Sequence, residues 1–370
     1  MCSIRCVRFN VYYTSVVKQP EWPSFLPDLP DPMLFRLKVL LLLASAAALA
    51  FCGWLLWFAL SPIELAAPAV EFSIRPGSTL RSATRQIVDA GLSMPGWKFI
   101  LLARANGASA GVKAGSYQVS DGVTPLQLVR KITRGEYAQA EILFVEGWNF
   151  RQMRDAMNAH VDLKHDSASF SEAQIMEKLG APGVLPEGMF FPDTYVFAKG
   201  ASDLAVLARA RSAMKKQLES AWAGRAPDLP VTDPYEALIL ASLVEKETGR
   251  AGDRTMIAAV FANRLRRKMK LQTDPSVIYG MGEKFDGNLR KRDLVTDTPF
   301  NTYTRLGLPP HPIAMPGLAS LAAVMHPAQT DALYFVSRGD GTSEFSRTLV
   351  EHNRAVAKYQ MPGARRRAGR

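Results

Sequence analysis

The sequence predicts an α+β protein, mainly helical, behind a single N-terminal transmembrane helix. Three observations predict it. Residues 39–60 form an uncharged apolar run, residues 70–133 alternate short strand and helix patterns, and residues 234–248 read as a helix apolar on nearly every face.

As a helix the run 39–60 would be about 33 Å long, enough to cross a bilayer. It is too long for the apolar core of a cleaved signal peptide, and no small-residue cleavage motif follows closely. Arg36 and Lys38 precede it, while Ser61-Pro-Ile-Glu64 and Glu71 follow it. That bias predicts a cytoplasmic segment 1–38, a single span 39–60 and an outward-facing remainder. Residues before Met33 are Pro-rich and lack periodicity, and Met33-Leu-Phe-Arg-Leu-Lys38 would itself make a sensible protein start.

The 370 residues carry a net charge of +11. Such an excess usually raises nucleic acid as a partner, but an outward location argues against it; an anionic envelope polymer or lipid surface fits better. The Arg-rich tail 361–370 reads as a disordered basic end. Cys2, Cys6 and Cys52 all lie before or within the span, so no disulfide or thiol chemistry is expected outside. His160, His165, His311, His326 and His352 show no ligand spacing. No metal and no cofactor are expected.

Beyond the span a linker runs into a strand with alternation in Val70-Glu-Phe-Ser-Ile-Arg75. Helices follow over 77–91 and around 97–105, then a strand over 112–119 and a helix over 124–133. The small strand and helix units of residues 68–140 resemble a LysM-like module, the kind that grips the N-acetyl sugars of peptidoglycan. A spacer that binds nothing is the other reading.

The second domain, 141–360, opens with a strand ending in a turn at Gly147-Trp148, and Asn149 caps an amphipathic helix. Residues 185–197, rich in aromatics with two prolines, read as a loop that shapes something. Helices are predicted over 204–222, 234–248 and 254–269. Asp274-Pro275 starts a short helix with Gln272 just outside it. Residues 300–317 form a long Pro-stiffened loop whose Asn, Thr, Tyr and Arg side chains suit sugar hydroxyls and amides, with Tyr303 available to stack on an apolar sugar face. Strands over 332–337 and 343–346 and a helix capped by the Thr348/Glu351 box end the domain.

The helix 234–248 has the clearest signals. Asp233 caps it, Pro234 takes its first position, Glu236 completes a capping box and Gly249 supplies a stop. Glu245 arrives at the end of the apolar run. Apolar neighbours and the negative end of the helix dipole both disfavour its charged form, so a raised pKa is expected, suited to protonating a glycosidic oxygen. Glu247 points to another side. Periodicity alone leaves a second reading open, in which Glu245 is merely the first solvated residue of a fraying turn beside Lys246 and Glu247.

Glu187-Gly188, Phe191-Pro-Asp-Thr-Tyr195, Ala241-Ser-Leu-Val-Glu-Lys-Glu247, Val260-Phe-Ala-Asn-Arg-Leu265, Met269-Lys-Leu-Gln-Thr-Asp-Pro-Ser-Val-Ile-Tyr279, Asn301-Thr-Tyr303, Gly307-Leu-Pro-Pro310 and Glu351-His-Asn353 together resemble the endolytic murein transglycosylases, the MltG or YceG-like family. The resemblance covers roughly residues 68–360. It implies a peptidoglycan lytic endotransglycosylase of the cell inner membrane, with a single pass, a periplasmic catalytic domain and peptidoglycan synthases as partners. It puts the family's catalytic glutamate on Glu245, which would protonate the leaving oxygen between N-acetylmuramic acid and N-acetylglucosamine. Glu245 would then act as base on the muramic acid C6 hydroxyl, leaving a 1,6-anhydro end. Tyr195, Asn263, Gln272, Asp274 and Tyr303 are the expected groove residues. The sequence offers no obvious second acid facing Glu245; Asp193, Glu187 and Asp274 are possible. A hydrolytic muramidase using Asp193 or Asp274, and a non-enzymatic peptidoglycan-binding protein, are the competing readings.

Overall fold

The structure, a computed structural model, describes residues 31–108 and 111–360. The expectations for residues 1–30 and for the tail 361–370 lie outside the described residues. The chain divides into two units, Met1–Ser61 and Pro62–Arg370.

Among the described residues the first unit is one helix, Asp31–Leu60. Met33–Leu60 is long and apolar enough to cross a membrane, with a mean hydropathy of 2.4 over 18 residues.

The second unit begins with a short strand, Glu64–Leu65, paired antiparallel with Leu92–Ser93, and beside it a strand, two helices and a strand. Ala69–Ile74 pairs antiparallel with Gly115–Ser120, and helices Leu80–Asp89 and Gly96–Ala105 lie between them in sequence. The strand alternates because Val70, Phe72 and Ile74 point inward and Glu71 and Ser73 outward. Phe72 stacks on Tyr117 across the pair, ring centroids 5.5 Å apart. Helix Pro125–Arg134 follows, with a capping box from Thr124 and Gln127 and a left-handed stop at Gly135. Lys199 ties this part to the next, its Nζ 2.6 Å from Glu71 and 3.5 Å from Asp162.

Gln139–Leu143 then pairs antiparallel with Thr194–Ala198. The second strand falls inside the stretch expected to be a loop: alternation of Tyr195 and Phe197 with exposed Thr194 and Val196 supplies the period that its prolines obscured. Behind the pair lies a core of Phe144, Phe150, Met153, Phe190, Tyr195 and Phe197. Phe150 and Phe190 stack at 5.2 Å.

The larger core surrounds helix Pro234–Glu247, whose residues Ala237, Leu238, Ile239, Leu240, Ala241, Ser242, Leu243 and Val244 are all buried. Helices Asp203–Ala223, Ala251–Arg266 and Leu318–Met325 pack around it. Fully burying each Leu, Ile or Val contributes about 1.5–3 kcal/mol, so this helix is fixed by tertiary packing rather than by propensity. Ser242 donates to the Ile239 carbonyl at 2.7 Å and accepts the Ile313 N–H at 3.0 Å, which seats the Pro-rich loop on the helix.

Two details of this helix differ from expectation. Asp233 caps the Glu236 N–H at 2.9 Å, but the Glu236 carboxylate turns to Thr232, taking its N–H at 2.7 Å and its hydroxyl at 2.9 Å. Thr232 offers two donors where the expected box offers one. The helix ends because Thr248 is extended, at φ −150° and ψ 132°, and not through a left-handed Gly249. Gly188, by contrast, is required: its φ is +78°, and a Cβ there would lie 2.5 Å from Pro312 Cβ.

Candidate active site

The last turn of helix Pro234–Glu247 sends Glu245, Lys246 and Glu247 to three different neighbours. Glu245 leaves only 6% of its side chain exposed. Its Oε2 accepts the Gly317 N–H at 2.9 Å, and its Oε1 lies 3.9 Å from the buried Arg254 guanidinium. The fraying-turn reading does not describe this residue: its side chain is buried and one oxygen is hydrogen-bonded. Arg254, a cation the sequence did not disclose there, offsets the cost of burying the carboxylate.

The Pro-rich loop delivers Gly317. Met315 N donates to the Trp148 carbonyl at 2.7 Å and Gly147 N to the Met315 carbonyl at 2.9 Å, so residues 313–317 are laced between the helix and the turn after strand Gln139–Leu143. Lys246 Nζ closes the other side, donating to the Gly147 carbonyl at 3.1 Å. That turn also carries a second acid. A Cβ on Gly317 would lie 1.8 Å from Glu146 Oε1, so the Glu146 carboxylate occupies the space beside the same glycine that binds Glu245. Partial burial first, then the charge of Glu245, push the Glu146 carboxyl above its ordinary value, against the pull of Arg254. Asp193, Glu187 and Asp274 are the possible second acids in the sequence; the carboxylate that shares Gly317 with Glu245 is instead Glu146.

A groove of about 850 Å³ opens beside this cluster, with Gly147, Arg151, Lys246, Tyr279, Phe300 and His311 in its walls. The three rings meet edge to face, centroids 4.7 to 5.6 Å apart, and form a rigid aromatic wall. Under it, Glu187 accepts the Phe150 N–H at 3.2 and 3.3 Å and the Tyr279 hydroxyl at 3.1 Å. It braces that wall at a helix N-terminus, where a carboxylate is favoured.

Glu247 faces the opposite way. It accepts a short hydrogen bond from the Thr273 hydroxyl. Next to it Tyr303 donates to Asp274 Oδ1 at 2.5 Å, and Gln272, at φ +50°, accepts from Arg264 at 3.4 Å. Gln272, Asp274 and Tyr303 thus come together, but around Glu247; the neighbouring Pro275, Ile278 and Tyr279 line the groove.

Tyr195 and Asn263 sit elsewhere. Tyr195 is buried and donates to the Phe191 carbonyl at 2.8 Å. Asn263 holds the carbonyls of Thr330 and Ala332 at 2.8 and 3.0 Å. Both brace backbone rather than face the groove. Asp193 accepts the N–H of Thr194 at 2.7 Å, a turn role. Glu146 and Arg254 are the residues that sequence reasoning missed. An acid between a strand end and the glycine of a turn was the available signal for Glu146.

Burial raises Glu187 and Glu247 from 4.5 to about 7. For Glu187 the charge of Glu172 adds to it and the hydrogen bonds oppose it; for Glu247 Asp274 adds, while Thr273 and Arg264 oppose. An acid raised on folding stabilises the fold fully below its unfolded pKa of 4.5, and that contribution is lost as pH rises through about 7. Stability in urea is expected to fall between pH 5 and 8, by on the order of 3 kcal/mol for each group. A midpoint that is flat or rising over this window would contradict the placement of both acids.

The YceG-like family profile matches residues 72–358. The chain is 31% identical over 325 residues to the "Endolytic murein transglycosylase" of Bacillus subtilis (strain 168), covering 81% of this chain and 88% of that protein. It is 27% identical to the protein of the same name from Streptococcus pneumoniae serotype 2 (strain D39 / NCTC 7466), covering 78% of this chain and 58% of that longer protein. A crystal structure of a yceG-like protein from Listeria monocytogenes aligns at a TM-score of 0.48 with 29% identity, over 78% of this chain and 98% of that one. With the profile spanning most of the chain, this protein belongs to the YceG-like family.

Proposed function

We propose that this protein is a membrane-anchored endolytic transglycosylase of peptidoglycan, cleaving the β-1,4 bond between N-acetylmuramic acid and N-acetylglucosamine within glycan strands. The observation that carries the proposal is Glu245: a carboxyl group held by Gly317 and Arg254 beside an aromatic-walled groove. The names of the Bacillus and Streptococcus relatives agree with it. Glu245 protonates the leaving O4 as the C1–O4 bond breaks, and the C6 hydroxyl of the same muramic acid residue forms the new bond to C1. Because the nucleophile belongs to the substrate, the groove need only hold the strand so that C6 oxygen reaches C1.

Helix Asp31–Leu60 is the anchor. Arg36 and Lys38 before it, and the acidic residues after it, favour a cytoplasmic N-terminus and a periplasmic catalytic unit at the inner membrane. The strand-helix-helix-strand unit 69–120 supports the LysM-like reading of residues 68–140, as a second grip on N-acetyl sugars. Peptidoglycan synthases are the partners that fit an enzyme ending nascent strands. Gln272, Asp274 and Tyr303 bind substrate in this reading only where a strand extends past the groove toward Glu247.

Glu146 gives the hydrolytic reading a specific basis, since glycoside hydrolases use two carboxylates. Mass spectrometry of glycan strands digested by the full-length protein in detergent separates the two. Product ends carrying 1,6-anhydro-muramic acid are expected; reducing ends would overturn the proposal in favour of hydrolysis.

A further inference from the structure

Glu146 is not absorbed by the single-acid scheme, yet its geometry is specific. Its carboxylate and that of Glu245 converge on Gly317, one beside the Cα and the other on the N–H. Gly317 leaves that space free only because it lacks a Cβ. Gly147, the residue after Glu146, packs on Glu245, a Cβ there falling 3.8 Å from Glu245 Cγ. The two acids thus meet across one stretch of backbone. They differ in access: Glu146 is exposed, whereas Glu245 keeps 6% of its side chain in contact with solvent.

The third member of the cluster points the same way. Arg254 is 9% exposed, and its buried Nε has no hydrogen-bond partner, while its Nη2 reaches Glu245 only at 3.9 Å. One guanidinium thus acts on both carboxylates, pairing with Glu245 and opposing the rise of Glu146.

We infer that Glu146 is the base of the reaction, the carboxylate that takes the proton of the muramic acid C6 hydroxyl while Glu245 delivers its own proton to the leaving O4. The assignment rests on the transglycosylase reading and divides between two residues the work that a single glutamate would do in sequence. The C1–O4 electron pair goes to O4, which takes the Glu245 proton; C6 oxygen bonds to C1 and gives its proton to Glu146. One proton transfer from Glu146 back to Glu245 restores the starting state, and two acids around one guanidinium suit a shared proton. Glu245 on the central helix, Arg254 on the next helix and Lys246 beside the Gly147 carbonyl are the charged groups around Glu146. Partial burial raises its carboxyl, the direction that strengthens a general base.

The test compares the full-length wild type with Glu146→Gln and Glu146→Asp on isolated glycan strands, reading anhydro ends by mass spectrometry, steady-state rates, pH profiles and thermal melts. Glu146→Gln is expected to melt like the wild type and keep KM. It should lose about 100-fold in kcat and lose the acid limb of the pH profile, the fall in rate as the base is protonated. Glu146→Asp should restore part of the rate and the limb. A Glu146→Gln enzyme with wild-type kcat, or one whose loss lies wholly in KM, overturns the assignment but leaves the transglycosylase reading standing. A wild type that makes no anhydro ends overturns both.

Discussion

Replacing Glu245 by glutamine is expected to lower the rate of anhydro-end formation by about 10³-fold, the scale of losing a positioned proton donor. Glutamine is nearly isosteric and its carbonyl oxygen can still accept the Gly317 N–H, so the loop 313–317 should stay seated. What changes is the proton: the glutamine amide has no acidic proton to pass to O4. The variant should therefore fold, bind strands and fail to cut them. Time courses by mass spectrometry, with melting curves on the same samples, check this. A Glu245→Gln enzyme that keeps more than about a tenth of the wild-type rate contradicts the role of Glu245 as acid, because general acid catalysis is worth more than that.

The central helix was legible because its signals are local. Asp233, Pro234 and the run Ala237 to Val244 lie within a dozen positions, and burial follows from an apolar surface on every side. The same all-round apolarity hides what the helix meets. Nothing in residues 234–248 discloses that Gly317, 72 positions away, supplies the N–H for Glu245, or that the turn at Glu146 and Gly147 closes over it. Residue type was equally blind to direction. Tyr195 and Asn263 have the chemistry of sugar ligands, yet one faces a core and the other holds carbonyls. Tyr279, Phe300 and His311 form the groove wall from separate segments, and only the folded chain puts them edge to face.

Arg264→Met is expected to destabilise the fold by about 3–5 kcal/mol, the cost of removing one partner from a buried charged network. Arg264 is 7% exposed and threads between three segments. Its Nε donates to the Leu333 carbonyl at 2.7 Å, its Nη1 to the carbonyls of Leu271 and Lys270 at 2.8 and 3.3 Å, and its guanidinium lies 5.1 Å from the Tyr334 ring centroid. Methionine fills much of the volume but satisfies no carbonyl, and it removes the cation that opposes the rise of Glu247. The urea midpoint should drop by roughly 1 to 2 M, and the drop should be larger at pH 8 than at pH 5, because Glu247 is charged only at the higher pH. Arg305→Met is the control: Arg305 pairs with Asp297 at 2.9 Å with both side chains about half exposed, where solvent screens the pair. If the two substitutions shift the midpoint equally, the buried network around Arg264 is not what holds the segment 270–274 and the strand after Leu333 against the helix Ala251–Arg266.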